Sequence, residues 1–262
     1  MNNEFEGRIA VVSGGSRGIG LATARSLAKA GAKTAIVASS IENLKAAARI
    51  IVADGGAEPL IVASDLRSES GCRDAFDAVS ARFGRCDILI NSAGATRAGA
   101  FLDQQDDAWQ DGFSLKLFAC VRLSRLFWPL LRTSKGRVVN IVGCAARMPD
   151  PNFLIGGAVN AAMANFSKGL AALGRADGVN VNAIHPALTA TERVNALMQQ
   201  RAESAGITPA QVLDAEMRKS GMAELVQPES VAELALFLCS DRARQVQGVA
   251  IAVDTGVTPA LY

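Results

Sequence analysis

Short apolar runs of strand length alternate with longer amphipathic stretches along almost the whole of this 262-residue chain. The runs are apolar throughout rather than at every second position, which is typical of parallel strands that are buried on both faces. They are Arg8–Ser13, Lys33–Ala38, Glu58–Ala63, Cys86–Asn91, Arg137–Val142, Val179–Ile184 and Val249–Val253. Each of the first six is followed by a stretch with helical period, and this repeat predicts a parallel sheet covered by helices.

The amphipathic stretches complete the predicted architecture. They predict helices at Arg17–Ala30, Ile41–Asp54, Ser68–Phe83, Asp106–Leu131, Leu154–Ala176, Ala190–Ser220 and Pro228–Ser240. We expect residues 190–220 to form a helical lid over a substrate pocket, and their polar, mixed-charge composition suggests that this lid is mobile. No linker, repeat or low-complexity segment divides the chain. One doubly wound α/β domain of Rossmann type, spanning residues 1–262, therefore accounts for the whole sequence.

Composition excludes several classes of function. The net charge of +2 gives no reason to expect a nucleic acid or an anionic membrane as a partner. No apolar stretch is long enough to cross a bilayer, and the polar segment Met1–Gly7 does not resemble a signal peptide. The cysteines are scattered, with no CxxC pair: Cys72, Cys86, Cys120, Cys144 and Cys239. We therefore expect reduced thiols in a cytoplasmic protein that has neither disulfides nor a metal site.

A glycine-rich turn joins the first predicted strand to the first predicted helix. Residues 13–20 read SGGSRGIG. Glycines at such a turn let the backbone approach a pyrophosphate, while the positive end of the following helix faces its negative charge. A tight turn needs glycine even without a ligand, but the strand–turn–helix context favours a dinucleotide site.

Four segments resemble motifs of the short-chain dehydrogenase/reductase family, in order and at the spacing of that family. SGGSRGIG resembles its TGxxxGIG loop, and Asn91–Gly94 (NSAG) its NNAG; Val181–Ala187 (VNAIHPA) is similar to VNAINPG, and Val253–Gly256 (VDTG) to VDGG. The resemblance implies a seven-stranded parallel sheet with NAD or NADP across the carboxyl ends of the strands. It implies that the cofactor contacts Gly14, Ser16, Arg17, Gly18, Ile19, Gly20, Ser39, Ser40, Asp65, Leu66, Asn91, Ala93, Gly94, Pro186 and Thr191.

The end of the second predicted strand favours NADP(H) over NAD(H). Members that bind NAD usually carry a carboxylate there, which holds the ribose 2′-hydroxyl. This chain has Ser39 and Ser40 instead, and Arg17 in the glycine-rich turn could pair with a 2′-phosphate. The alternative is that Arg17 is simply solvated and that the two serines merely begin a loop.

The resemblance also implies a catalytic Asn–Ser–Tyr–Lys set, and none of its four members is present. Counting from the family-like segment 164–170 assigns the tyrosine position to Gly156 and the lysine position to Asn160. The serine position falls on Gly143 and the asparagine position on Lys116. No shift in the alignment restores the tyrosine, because the chain has only Tyr262. The usual Tyr/Lys mechanism is therefore excluded, and the two glycines are expected to enlarge the pocket.

Four other side chains are candidates for the missing chemistry. Lys116 could donate a proton if burial lowered its pKa, although a helix lysine more often reaches solvent. His185 is the only histidine and lies near the expected nicotinamide site, but it could equally be a structural residue. Cys144 could be a weak donor or nucleophile, or a small buried side chain. Asn160 could still hold the ribose hydroxyls.

Two functions remain open from the sequence. The first is an NADP(H)-dependent oxidoreductase with an atypical active site, acting on the carbonyl or alcohol group of a small molecule. The second is a non-redox protein on the same scaffold: a nucleotide-binding sensor or pseudoenzyme, or an enzyme of lyase or hydrolase type. The resemblance further implies a homodimer or homotetramer, packed through helices 106–131 and 154–176. Tyr262 could reach the site of a neighbouring subunit.

Overall fold

The computed structural model describes residues 3–259, which form a parallel sheet in the order β3-β2-β1-β4-β5-β6-β7. The strands are β1 (Ile9–Ser13), β2 (Lys33–Ala38), β3 (Leu60–Ala63), β4 (Ile88–Asn91), β5 (Arg137–Ile141), β6 (Asn180–Pro186) and β7 (Ala250–Val253). Every strand pair is parallel. The predicted doubly wound, seven-stranded α/β fold is therefore confirmed.

Helices cover both faces of this sheet. They are α1 (Gly18–Lys29), α2 (Ile41–Ala53), α3 (Glu69–Phe83), α4 (Asp106–Gly112), α5 (Ala119–Ser134), α6 (Leu154–Asp177), α7 (Glu192–Ala205), α8 (Pro209–Ser220) and α9 (Pro228–Cys239). One apolar cluster packs α1, α2 and α9 against one face, and a second packs α3, α5 and α6 against the other. This double cover explains why the strands are apolar throughout.

The prediction of a single helix over Asp106–Leu131 was wrong for its central residues. α4 ends at Gly112, a wider π-helical turn runs from Phe113 to Phe118, and α5 then continues to Ser134. A π-helical turn adds a residue to one turn of an otherwise continuous helix, and the prediction of one uniform helix did not include so local a change. Lys116 lies in this turn, and such turns are common at functional sites.

The stretch predicted as one helix at Ala190–Ser220 is also divided. α7 ends at Ala205, and the next residue, Gly206, takes a left-handed conformation with φ of 68°. α8 begins anew at Pro209, where the Thr208 and Gln211 side chains and backbones cap the helix reciprocally. Among residues 3–259, no helix combines the length and the hydropathy that a membrane crossing requires.

The topology also locates a crevice. β1 has β2 on one side and β4 on the other, so the order of the strands reverses there. In open parallel sheets, ligands bind beyond the carboxyl ends of the strands at this reversal.

Candidate active site

A cleft of about 790 Å³ lies beyond the carboxyl ends of β1, β4, β5 and β6. Nearly all of the cofactor-binding residues predicted from the sequence line it: Gly14, Ser16, Arg17, Gly18, Ile19, Gly20, Ser39, Ser40, Asp65, Leu66, Ala93, Gly94, Pro186 and Thr191. Lys116, Gly143, Cys144 and Asn160 line the same cleft. The structure thus brings the predicted nucleotide end and the predicted reaction end into one continuous space.

The glycine-rich turn needs its glycines for close approach. Gly14 has φ of 67°, and a Cβ there would lie 2.9 Å from the Ala93 backbone. A Cβ on Gly20 would overlap the Gly14 carbonyl oxygen. No side chain caps the N-terminus of α1, which therefore presents unsatisfied N–H groups to the cleft. A bare backbone at the positive end of a helix fits a pyrophosphate group.

Ser13 anchors the turn after β4, a role that the sequence did not reveal. Its hydroxyl accepts hydrogen bonds from the N–H groups of Ser92 (3.1 Å) and Ala93 (3.2 Å). Asn91 differs from the prediction, because its side chain does not line the cleft. Instead its Nδ2 donates to Oδ1 of Asn140 at 2.8 Å within a buried network. The structure assigns Asn91 a positioning role under the cleft floor.

The nucleotide end of the cleft carries an arginine that is already paired. The Arg17 guanidinium lies 2.9 Å from the Glu192 carboxylate, and both side chains are well exposed. Ser40 caps α2 by accepting from the Asn43 N–H, and it donates to the Glu42 carboxylate at 3.0 Å. No carboxylate side chain occupies the end of β2 itself, as the sequence indicated.

Lys116 points from the π-helical turn towards β5. Its Nζ donates a hydrogen bond to the Val142 carbonyl oxygen at 2.5 Å, and its stem packs on Gly94. Burial, reinforced by the positive charge of Arg193, lowers the pKa of this ammonium group to about 8. Lys116 is therefore an amine at the cleft wall that can release a proton near neutral pH.

Two of the positions that correspond to the family's catalytic set lie side by side. A Cβ on Gly143 would lie 3.0 Å from Nδ2 of Asn160. Asn160 is 4% exposed, and its Oδ1 has no hydrogen-bond partner among residues 3–259. An unpaired buried amide oxygen beside a cleft is an acceptor that a bound hydroxyl group could satisfy.

The expected open space at Gly156 is filled, and this part of the prediction was wrong. Gly156 does not line the cleft, because the ring of Phe153 lies against it. A Cβ on Gly156 would overlap the Phe153 ring, and Phe153 lines the cleft in its place. An apolar ring without a transferable proton therefore fills the space beside Gly156.

The other two catalytic candidates have environments that suppress acid–base chemistry. His185 is 1% exposed and does not line the cleft, and neither ring nitrogen has a partner among the described residues. Burial and the positive charges of Arg147 and Lys116 lower its pKa to about 4, so the imidazole is neutral at pH 7. Burial raises the pKa of the Cys144 thiol to about 11, which keeps it protonated and poorly nucleophilic.

Arg193 is a cleft residue that sequence reasoning missed. It lines the cleft beside Lys116, and its Nη2 donates to the carbonyl and the hydroxyl oxygen of Thr96. The only available signal was its position two residues after Thr191, which does not reveal where the side chain points.

Comparison with known proteins matches this geometry. The profile of a family described as enoyl-(acyl carrier protein) reductase matches residues 14–258. The 3-oxoacyl-(acyl-carrier-protein) reductase FabG of Escherichia coli (strain K12) is 31% identical, with 97% of this chain and 98% of that protein covered. The structure of L-sorbose reductase from Gluconobacter frateurii, complexed with NADPH and L-sorbose, is 32% identical with a TM-score of 0.91, and both chains are covered in full.

A further solved structure is a short chain dehydrogenase from Burkholderia cenocepacia J2315 in complex with NADP, 31% identical with a TM-score of 0.85. The aligned region covers 97% of this chain and 99% of the dehydrogenase chain. The match in sequence and fold extends over nearly the whole length of these proteins. The chain belongs to the short-chain dehydrogenase/reductase family of oxidoreductases.

Proposed function

We propose that this protein is an NADP(H)-dependent oxidoreductase that acts on the carbonyl or alcohol group of a small molecule through a non-standard catalytic site. One observation carries the proposal: the uncapped N-terminus of α1 and the Lys116 amine face the same cleft of about 790 Å³. A site with these two ends can hold a dinucleotide and still leave room for a second reactant.

The residues present fit a dinucleotide phosphate. The glycine-rich turn would hold the pyrophosphate, Arg17 with Ser39 the 2′-phosphate, and Asn160 the ribose hydroxyls. The NADPH complex of the L-sorbose reductase and the NADP complex of the short chain dehydrogenase support this choice of cofactor. When bound, the reduced cofactor supplies a hydride. The charge of Arg17 is only partly offset by the exposed Glu192, so it can turn to a stronger anionic partner.

Lys116 is the group best suited to supply the proton. In reduction, the carbonyl carbon gains a hydride while its oxygen gains a proton from the Lys116 ammonium group, which the Val142 carbonyl orients. With a pKa of about 8, Lys116 is protonated at pH 7, and the transfer of its proton costs little free energy. Gly143 leaves the approach to this amine unobstructed, since no side chain projects there.

A non-redox role is favoured by one specific observation. Phe153 occupies the space beside Gly156, so the proton donor that is usual in this family is replaced by an apolar ring. A protein that binds NADPH as a sensor, without turning it over, would also be consistent with that replacement.

We also propose that α7 and α8 form a lid over this cleft, within a domain that spans the whole chain. Val194 and Met198 of α7 pack with Val212 of α8 around Phe153, which keeps the lid against the reaction end. Arg201 of α7 adds an ion pair of 2.7 Å to Asp150 in the loop before α6.

The test combines binding with turnover. Calorimetry should show NADPH binding more tightly than NADH, and NADPH absorbance should fall when a panel of ketones and aldehydes is added. The Lys116→Met variant should bind NADPH normally and reduce these compounds at least about 100-fold more slowly. Tight NADPH binding without turnover on any compound would favour the sensor, and no binding of either dinucleotide would refute the oxidoreductase.

A further inference from the structure

Most of the charged side chains that line the cleft are paired with one another. Four carboxylates line it, and each lies within salt-bridge distance of an arginine: Asp65 with Arg67, Asp150 and Glu216 with Arg201, and Glu192 with Arg17. These carboxylates are therefore not available to neutralise any other cation in the cleft.

Arg193 is the exception among the cleft arginines. Within the part of the chain that the structure describes, no carboxylate lies within salt-bridge distance of its guanidinium group. Only Nη2 is bonded, to the two oxygen atoms of Thr96, and no protein atom among residues 3–259 accepts from Nε or Nη1. The side chain is half-buried, so water compensates its charge only in part.

Arg193 lines the cleft near Lys116, at the predicted reaction end. Thr96, to which it is bonded, follows two residues after Gly94, and the Lys116 side chain packs on Gly94 with Cδ 3.0 Å from where a Cβ would lie. The charge of Arg193 is also felt by the Lys116 ammonium group. Arg193 and Lys116 therefore contact the same segment of the cleft wall, residues 94–96.

We propose that Arg193 is a specificity residue that binds a carboxylate on the substrate, so that the preferred substrates are keto acids or the corresponding hydroxy acids. The inference rests on the proposed oxidoreductase function. A planar guanidinium with free N–H groups recognises a carboxylate through charge-assisted hydrogen bonds. A neutral substrate would leave this half-buried cation without a counter-charge, which is unfavourable.

The experiment compares matched substrates on the NADPH-loaded protein. Pyruvate, acetoacetate and levulinate place the carboxylate at three distances from the ketone, and their methyl esters are the neutral counterparts. We expect at least one acid to have kcat/KM about tenfold or more above that of its ester, with the difference mainly in KM. Arg193→Met should abolish this preference, whereas Arg193→Lys should keep part of it.

Lys219→Met is the matched control, because Lys219 lines the same cleft but is exposed, and its replacement should leave the preference unchanged. Equal kcat/KM for every acid and its ester, in a protein that reduces both, would overturn this inference while leaving the oxidoreductase proposal standing. A preference for acids that survives in Arg193→Met would overturn it as well. An Arg193→Met protein that loses NADPH affinity, with the preference intact, would assign Arg193 to the cofactor. No NADPH binding by the unmodified protein would instead refute the proposed function.

Discussion

At the scale of single residues, the environment of each titratable group decides which one can carry a proton. Burial shifts the pKa values of His185, Cys144 and Lys116, but only one of these shifts favours proton transfer near pH 7. It keeps the imidazole neutral and the thiol protonated, so both lie far from the protonation change that catalysis needs. For the amine, the same desolvation brings the pKa into the working range.

The pH dependence of reduction follows from this pKa. Lys116 donates only when it is protonated, so kcat for carbonyl reduction should be constant below its pKa of about 8 and fall at higher pH. Oxidation of an alcohol needs the free amine and should therefore rise over the same range. Arg193 and His185 face the same group, and neither changes its charge between pH 6 and 9, since Arg193 stays protonated and His185 stays neutral. Steady-state kinetics measured over this range would test the assignment, and an alkaline limb that persists in Lys116→Met would contradict it.

The contact between Gly156 and Phe153 makes a second residue-scale prediction. Gly156→Ala should lower the free energy of unfolding by about 1–3 kcal/mol, because the new Cβ overlaps the Phe153 ring. In a Phe153→Ala background the same change should raise it by about 0.5–1 kcal/mol, because alanine is a better helix residue than glycine.

Urea unfolding of the four proteins in this double-mutant cycle provides the measurement. Gly157→Ala is the matched control, because a Cβ there would lie 3.6 Å from the nearest atom and fit without strain. Additive effects of the two changes would show that the ring does not fill the space beside Gly156.

Counting along the chain predicts that the catalytic positions of the family fall on Gly143, Gly156 and Asn160, but it could not reveal what fills the space around them. Phe153 lies three residues before Gly156, and its ring folds back onto it through the start of α6. The position of the Phe153 ring depends on its packing against apolar side chains of α7 and α8. A pattern in the local sequence does not predict such a tertiary contact. Arg193 was missed for the same reason.

At the scale of elements, the positions of the helices and strands could be predicted, while their irregularities could not. The bounds of β2 agree with the prediction in full, because apolar runs and turn residues mark them directly. The π-helical turn at 113–118 was not predicted, and within it the Lys116 side chain is bonded to the Val142 carbonyl oxygen just beyond β5. The division between α7 and α8 had a visible signal in Gly206 and the Thr208–Pro209 pair.

The ion pair between the start of α1 and the start of α7 predicts how the cofactor phosphate is selected. Arg17→Met should weaken NADPH binding about tenfold and leave NADH binding almost unchanged, because only NADPH carries the 2′-phosphate. Glu192→Gln should strengthen NADPH binding about twofold, because Arg17 then binds the 2′-phosphate without first breaking its ion pair with Glu192.

Calorimetric titration with both dinucleotides would measure these changes. Arg25→Met is a suitable control, as Arg25 belongs to the same helix but pairs with Asp54 and Glu229 outside the cleft. Equal losses for NADPH and NADH in Arg17→Met would indicate a general effect on the turn and not recognition of the 2′-phosphate.

At the scale of the whole molecule, exposed apolar side chains support the predicted assembly. α5 and α6 were expected to form the interface between subunits, and Phe118, just before α5, is 45% exposed, while Leu173 on α6 is 53% exposed. The exposed face of α6 also carries small residues such as Ala161, Gly169 and Ala172, which allow close packing of a second helix, beside the polar Asn165 and Lys168.

We therefore predict a light-scattering mass of two or four times the 27.3 kDa of one chain. Leu173→Glu should lower this mass to that of a single chain, because a buried, unpaired carboxylate in a symmetric interface is repeated on both subunits. Ile50→Glu is the matched control: Ile50 is 41% exposed on α2, away from both helices, so the mass should not change. A monomeric unmodified protein, or an assembly that tolerates Leu173→Glu, would remove α6 from the interface.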